Sequence, residues 1–352
     1  MQMALYEPGL GYYSAGLARF DETGDFMTAP EISSVFSKCV ARQCEQILNN
    51  LSNACILELG PGSGRMACDI LLELKELDCL PEKYYLLETS EILCDRQKRL
   101  FSNTVPELME YTEWIKEVPE AGVTGLILAN EVIDAMPVHR VRINGLNYYE
   151  CCVDFKGNNF CWSDITACPS LVNTLEQLLD TLPFDLPDNY LTEINLLLPD
   201  WLGSLSDTLI KGAILFIDYG YSRNDFFHPQ RKNGTLLCHY RHRLHDDPFF
   251  YPGLQDITSS VDFTRIAECA DESGLQVNGY STQGHFLLGC GIEKFAGRGI
   301  QDNVIDSLKL SQQIKKLTMP GEMGERFKVM SLTRDLPLDL IGHQFNDMRN
   351  RL

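Results

Sequence analysis

The first residues with chemical potential stand in "ILELGPGSGR", where Glu58 is followed at alternating positions by Gly60, Gly62 and Gly64. Glycine after a strand lets the backbone approach a ligand closely, and a loop that opens into a helix offers free N–H groups. A dinucleotide site of the G-x-G-x-x-G type needs a small third residue for helix–strand packing. Here that place holds Arg65, which counts against NAD. Glu58, two positions before Gly60, suits an ammonium group. S-adenosylmethionine (SAM) carries one, with a cationic sulfonium and no phosphate. The following apolar run, "KYYLLET", ends at Glu88, an acid able to accept hydrogen bonds from both ribose hydroxyls of a nucleoside. Trp114, in "YTEWIKEV", could flank an adenine or serve only in packing.

A second constellation is "ANEVIDAMPV", with Asn130, Glu131 and Asp134 at the end of another apolar run. In a doubly wound sheet, ligands bind at the carboxyl ends of the strands. Two acids three residues apart across a tight turn can bracket one cation, and a guanidinium offers carboxylates a planar, bidentate fork. The alternative is local: "NE" caps a helix and Asp134 stabilises the turn.

These residues must be positioned by strands and helices, and the chain supplies both. A helical pattern from about Ile32 to Leu51 opens on Pro30 and Glu31. Short apolar runs at "ACILELG", "KYYLLET", "TGLILAN" and "GAILFIDYG" alternate with helical stretches, the second of which has Ser90 as its N-cap. That rhythm predicts a parallel sheet with helices on both faces. After Met136, "NG" and "KGNN" turns predict hairpins, and helices follow near 170–182 and 198–211. Residues 221–261 read as a long irregular stretch, of a length that usually covers a site. A helix ending at Gly274, a strand at "LQVNGYST", helices over 284–320 and a last strand at "RFKVMSLT" complete the chain.

Lys and Arg total 30 against 49 Asp and Glu, a formal charge of -19, which disfavours nucleic acid and suits a basic partner. No apolar run approaches the roughly 18 residues of a membrane span, and the first residues do not form a signal peptide. The 13 cysteines include no C-x-x-C pair and read as reduced thiols. His239, His242 and His245, followed by Asp246 and Asp247, lack metal-site spacing, so no metal is expected. Asp256, Thr258 and Asp262 read as turn and cap residues; Tyr219, beside Asp218, could touch substrate or belong to the core, and Glu193 could add a third acid to the cleft.

Acid-x-Gly-x-Gly-x-Gly resembles the first motif of class I SAM-dependent methyltransferases. In chain order, "ALYEPGLGYY", "GDFMTAPEIS", "LELGPGSG", "LLETS", "ANEVIDAMPVHR", "FIDYGY", "GTLLCHYRHR", "PGLQDITSSVDF" and "MGERFKVM" resemble the MidA-like family, from residue 1 to about 332. That family includes the mitochondrial complex I assembly-factor arginine methyltransferase. The resemblance implies an α/β class I SAM-dependent methyltransferase fold, Rossmann-like, with a seven-stranded, mostly parallel sheet, an inserted subdomain and helical additions. It places SAM on Glu58, Gly60, Gly62, Gly64 and Glu88, and the methyl-transfer site on Asn130, Glu131 and Asp134. Asp25, Phe26, Thr28, Pro30 and Glu31 would cover the cofactor, although a plain helix N-terminus explains those residues equally well. Family members usually carry residues before "MALY", so an upstream helical segment is expected to be missing.

The expected organisation is 1–52 cover and helix, 53–137 SAM-binding core, 138–212 inserted subdomain, 213–335 the rest of the core with a lid over 221–261 and a helical excursion over 284–320, and 336–352 a tail. The expected activity is arginine N-methylation of a partner protein, with symmetric dimethylation of a complex I subunit implied by the resemblance and a homodimer left open. A bacterial version would be cytoplasmic and a eukaryotic one would sit in the mitochondrial matrix. The alternatives are a small-molecule methyltransferase and a SAM-binding assembly scaffold without turnover.

Overall fold

The computed structural model describes residues 1–17, 27–298 and 304–352. Asp25 and Phe26 lie outside the described residues. The central sheet is built from β1 (Cys55–Leu59), β2 (Tyr84–Leu87), β3 (Thr112–Ile115), β4 (Val123–Asn130), β5 (Leu209–Tyr221), β6 (Gln276–Thr282) and β7 (Phe327–Arg334). Their spatial order is β6-β7-β5-β4-β1-β2-β3. Pairing is parallel from β5 through to β3, while β7 runs antiparallel to both β5 and β6. An eighth strand, Val261–Asp262, pairs parallel to β5 and adds one to the expected seven.

Alternation along the buried strands sorts the core into two layers. Ile56, Leu126, Leu128 and Leu215 pack with the helices Ser34–Leu48 and Arg65–Glu76 on one face. Leu57, Ile127, Ile214 and Phe216 pack with the helices Leu198–Thr208 and Phe263–Glu272 on the other. A strand buried on both faces has no polar alternation to show, which is why these runs are continuously apolar. The chain reverses direction of strand addition between β1 and β4. Such a switch point leaves a crevice at the carboxyl ends, and the loops after β1 and β4 flank it.

Several boundaries differ from the sequence pattern. The first long helix is split: Ala29–Ile32 stops at Ser33, whose extended backbone (φ -162°) and side chain cap Ser34–Leu48 through the Val35 N–H. The helix expected to reach 211 ends at Thr208, and β5 starts at Leu209. Between β4 and β5 the chain forms a separate antiparallel sheet from His139–Asn144, Asn147–Lys156, Asn159–Thr166 and Tyr190–Ile194. Its inner face packs on the helix Pro169–Leu179 through Val141, Ile143, Leu171 and Leu175. The 221–261 stretch is not irregular: Leu237–Tyr240, Arg243–His245 and Asp256–Thr258 form a three-stranded sheet. Arg241 and His242, at φ 49° and 60°, make the tight turn between the first two of these strands. That left-handed pair carries none of the Gly or Asn that usually marks such turns, so the hairpin gave no sequence signal.

Candidate active site

A cavity of about 500 Å³ opens at the switch point, within the roughly 300–1,000 Å³ typical of small-molecule sites. The β1 loop supplies Glu58, Gly60, Gly62 and Ser63 to its wall; the ends of β2 and β4 supply Glu88, Asn130 and Glu131. Thr28 and Pro30 enter from the short N-terminal helix, and Trp201 and Leu205 from the helix Leu198–Thr208. Tyr6 and Tyr13, stacked with centroids 5.8 Å apart, line the wall from the first residues of the chain.

Gly60, Gly62 and Gly64 all take left-handed backbone (φ 58°, 56° and 81°), which explains why the loop needs glycine. Gly64 does not line the cavity; it caps the helix Arg65–Glu76 and faces Gln97. Glu58 is buried, and the Tyr84 hydroxyl donates to its Oε2 at 2.6 Å. Burial pushes the Glu58 carboxyl up to about 7, opposed by that hydrogen bond. Glu88 is also raised by burial, while the Ser90 N–H (2.8 Å) and Gln97 Nε2 (3.1 Å) donate to it.

Gln97 is a hub that the sequence reading missed. It is wholly buried, donates to the Gly62 carbonyl at 2.9 Å as well as to Glu88, and accepts from Trp114 Nε1 at 3.0 Å. Its signal was a polar residue on the inward face of the helix Glu91–Thr104. Trp114 therefore does not flank the cavity: its indole is tied to Gln97 and set edge-on to Phe101, and the indole on the cavity wall is Trp201. Glu31 also stands off the wall, accepting a hydrogen bond from the Ser63 hydroxyl that ties the N-terminal helix to the glycine loop.

On the other side of the crevice, Glu131 has φ 54°, a strained value for a residue with a Cβ. Its N–H donates to the Ile217 carbonyl of β5 at 2.8 Å, and Asn130 Nδ2 donates to its Oε1 at 3.3 Å. The N–H groups of Ile133 and Asp134 both donate to Asp218 Oδ2 at 3.0 and 3.2 Å. Asp218 thus holds the loop backbone from β5, a role not assigned from the sequence. This anchoring turns Asp134 inward, so the expected bracket of two acids on one wall is corrected: Glu131 lines the cavity and Asp134 lies buried behind it.

Burial and the neighbouring Asp134 push the Glu131 carboxyl up to about 8. Asp134 and Asp218 are both raised, burial being the main cause. Tyr13 donates to Asp256 Oδ1 at 2.9 Å and Tyr6 to the Ala135 carbonyl at 2.8 Å, so the first residues of the chain close over this acidic end. Asn130 Oδ1 is a buried acceptor without a donor, and the buried Tyr219 hydroxyl faces the Asp134 carboxyl and opposes its rise. Ion pairs among the described residues lie elsewhere in the fold.

Glu193 does not join the cavity. It accepts from Thr235 N–H (2.6 Å) and Oγ1 (3.0 Å) and faces Arg140 at 3.6 Å. Tyr219 packs edge-on against Phe327. Asp262 caps the helix Phe263–Glu272, as its position suggested. His239 and His245 lie in the three-stranded sheet and His242 at its turn, and among the described residues no group of three or more His, Cys, Asp or Glu could hold a metal.

A crevice with a glycine loop, one acid at the end of each of two adjacent strands and an apolar far wall defines a nucleoside-binding α/β enzyme of the methyltransferase class. Comparison with known proteins agrees. The model of the family described as "Putative S-adenosyl-L-methionine-dependent methyltransferase" matches residues 39–281, and the chain belongs to that family. A solved COG1565 superfamily member from Burkholderia thailandensis, bound to S-adenosyl-homocysteine, is 32% identical with a TM-score of 0.92, over 100% of this chain and 90% of that one. The mitochondrial protein arginine methyltransferase NDUFAF7 homolog of Drosophila melanogaster is 27% identical, over 94% of this chain and 80% of its own. NDUFAF7 of Danio rerio is 28% identical over 94% and 82%. The chain is a SAM-dependent methyltransferase.

Proposed function

We propose that the chain methylates the guanidinium of an arginine on a partner protein. One observation carries the reading: Glu131, Asp134 and Asp218 converge at the carboxyl ends of β4 and β5 with no cationic partner among the described residues. Buried charge normally has a partner. A guanidinium brings five N–H donors, no acceptor and a permanent charge, which answers Glu131 on the cavity wall and the orphan acceptor Asn130 Oδ1 beside it, with Asp134 and Asp218 adding negative field from behind.

The cavity residues fit SAM. Glu58 would take its ammonium, the backbone at Gly60 and Gly62 its carboxylate, Glu88 its ribose hydroxyls, and Leu87, Val118, Trp201 and Leu205 its adenine. Thr28 and Pro30 cover it, with Glu31 and Gly64 acting from behind the wall. When bound, SAM supplies an electrophilic methyl carried on a sulfonium. Glu131 accepts hydrogen bonds from the guanidinium and so fixes which nitrogen faces the cofactor end. Such alignment is the main protein contribution to an in-line transfer. Tyr6 and Tyr13 shield this end from water. Transfer leaves a surplus proton on the accepting nitrogen, and Glu131, at about 8, is placed to receive it.

The names of the curated relatives support a protein arginine substrate and, for a eukaryotic chain, a mitochondrial location. By family resemblance the substrate is a complex I subunit and the product symmetric dimethylarginine. We read the separate sheet and its helix, 139–194, as the inserted subdomain in place of the expected 138–212, since Leu198–Thr208 packs on the central sheet and β5 begins at Leu209, and we read 1–52 as the cover. The test is transfer of tritiated methyl groups to candidate partner proteins, followed by hydrolysis and chromatography of the amino acids. Label in dimethylarginine supports the reading. Label confined to another residue or a small molecule, or absent despite SAM binding, overturns it.

A further inference from the structure

An exposed aromatic surface runs from the tip of the separate four-stranded sheet to the acidic end of the cavity. Phe155 and Phe160 pair across the hairpin at 5.3 Å, with 58% and 47% of their surface exposed. Phe160 stacks on Phe249 at 6.1 Å, which also meets Trp162 at 5.0 Å. The adjoining Phe250 and Tyr251 pack together at 4.3 Å and are each about half exposed. Their loop then touches the N-terminal segment: a Cβ on Gly253 would lie 3.0 Å from the Leu10 carbonyl oxygen. That segment carries Tyr6 and Tyr13, which line the cavity, and Tyr13 bonds Asp256 at the end of the same loop.

We propose that this surface docks the residues flanking the target arginine, selecting a protein segment with leucine or aromatic side chains beside the arginine. The inference rests on the arginine reading of the site. Contiguous exposed aromatic surface marks an interaction site, and aromatic residues dominate the cores of such interfaces. Charge chooses the occupant. A second copy of a chain carrying -19, or an anionic bilayer, is repelled, whereas an arginine-bearing segment is attracted. The end of the surface nearest Tyr13 and Asp256 is where that arginine enters.

The experiment measures binding of four synthetic peptides to the SAM-loaded protein by fluorescence anisotropy. Arginine or glutamine stands at the centre, and phenylalanine and leucine, or glycine and serine, stand on the flanks. The expected result is about tenfold or greater tighter binding of the apolar-flanked peptides whatever the central residue, by the usual scale of one well-packed anchor. Phe155→Ser with Phe160→Ser abolishes that preference, and Phe250→Ser alone reduces it. Both variants alter solvent-exposed side chains, and unchanged SAM affinity verifies their fold. Equal affinity for both flank types, or a preference that neither variant changes, overturns the docking surface. So does Phe155/Phe160-dependent self-association or binding to phosphatidylglycerol vesicles without a flank preference. A flank preference with no effect of arginine over glutamine leaves the docking surface standing and sinks the arginine reading instead.

Discussion

Glu131→Gln separates the cation site from the cofactor site. Glu131 lines the acidic end of the cavity, while Glu58 stands on β1 and Glu88 directly after β2. A carboxylate holding a guanidinium through two charge-assisted hydrogen bonds contributes about 1.5–3 kcal/mol per bond. Glutamine keeps one neutral acceptor, so the loss is about 3 kcal/mol or more, which is roughly 100-fold or greater in kcat/KM. Calorimetric SAM affinity should change by less than about threefold, since no SAM-holding residue is altered. The pH dependence supplies a second signature. The empty site holds the Glu131 proton up to about pH 8, and a guanidinium does not titrate in that range. In the wild type, kcat/KM should therefore climb as pH rises toward 8 and level off above it. The variant should lack that climb. Stability moves the opposite way. A carboxyl raised from 4.5 to about 8 in the folded state binds its proton more tightly there than in the unfolded chain. Its ionisation then destabilises the fold increasingly from pH 4.5 up to about 8. Glu131→Gln should raise Tm above pH 8 and leave it unchanged near pH 4.5. Turnover within a fewfold of wild type on an arginine peptide, with the same pH profile, would refute the reasoning.

Three further perturbations probe the rest of the fold. Tyr84→Phe removes the hydroxyl that opposes burial at Glu58, so the rise of SAM affinity with pH, centred near 7 in the wild type, should move to higher pH in titration calorimetry. Trp201→Ala should weaken SAM binding by about tenfold, since base–aromatic stacking is worth about 1–3 kcal/mol; Trp114→Phe, which removes the bond to Gln97 and trims the packing on Phe101 away from the cavity, should cost SAM binding less, and the reverse order would exclude Trp201 as the adenine wall. His343 lies buried between the hydroxyls of Ser281 (2.8 Å) and Ser331 (2.7 Å), its pKa lowered from 6.5 to about 4 by burial. Its neutral form is favoured in the fold, so stability holds above pH 6.5 and falls by about 3 kcal/mol toward pH 4; His343→Asn should flatten that part of the denaturation-midpoint profile.

The elements that line the cavity at the end of β1 were readable because their signals are local. "CILEL" is apolar throughout since β1 is buried on both faces, and Glu58 and the glycines follow at once. The Ser90 cap was equally local, its hydroxyl accepting from the Leu93 N–H. What escaped depends on distant chain. Trp114 was the nearest tryptophan in sequence to Glu88, but Trp201 reaches the cavity on a helix that returns only after the separate sheet. Three-residue spacing placed Glu131 and Asp134 on one wall, yet the Asp218 carboxylate on β5 pulls the loop backbone and parts them. Gln97 looked like any polar helix residue until the fold set Gly62, Glu88 and Trp114 around it. The three-stranded sheet within 221–261 was hidden because its strands are short and its turn uses Arg241 and His242.

The central claim is that the acidic end of the cavity and the SAM end form one site for a guanidinium beside a methyl donor. The most direct measurement compares two bisubstrate compounds by calorimetry, each joining an adenosine-amino acid head to a short tether, one ending in guanidine and the other in the neutral isosteric urea. The guanidine compound should bind about 100-fold more tightly, and that advantage should vanish in Glu131→Gln. Equal affinity of the two compounds for the wild-type protein would contradict the account.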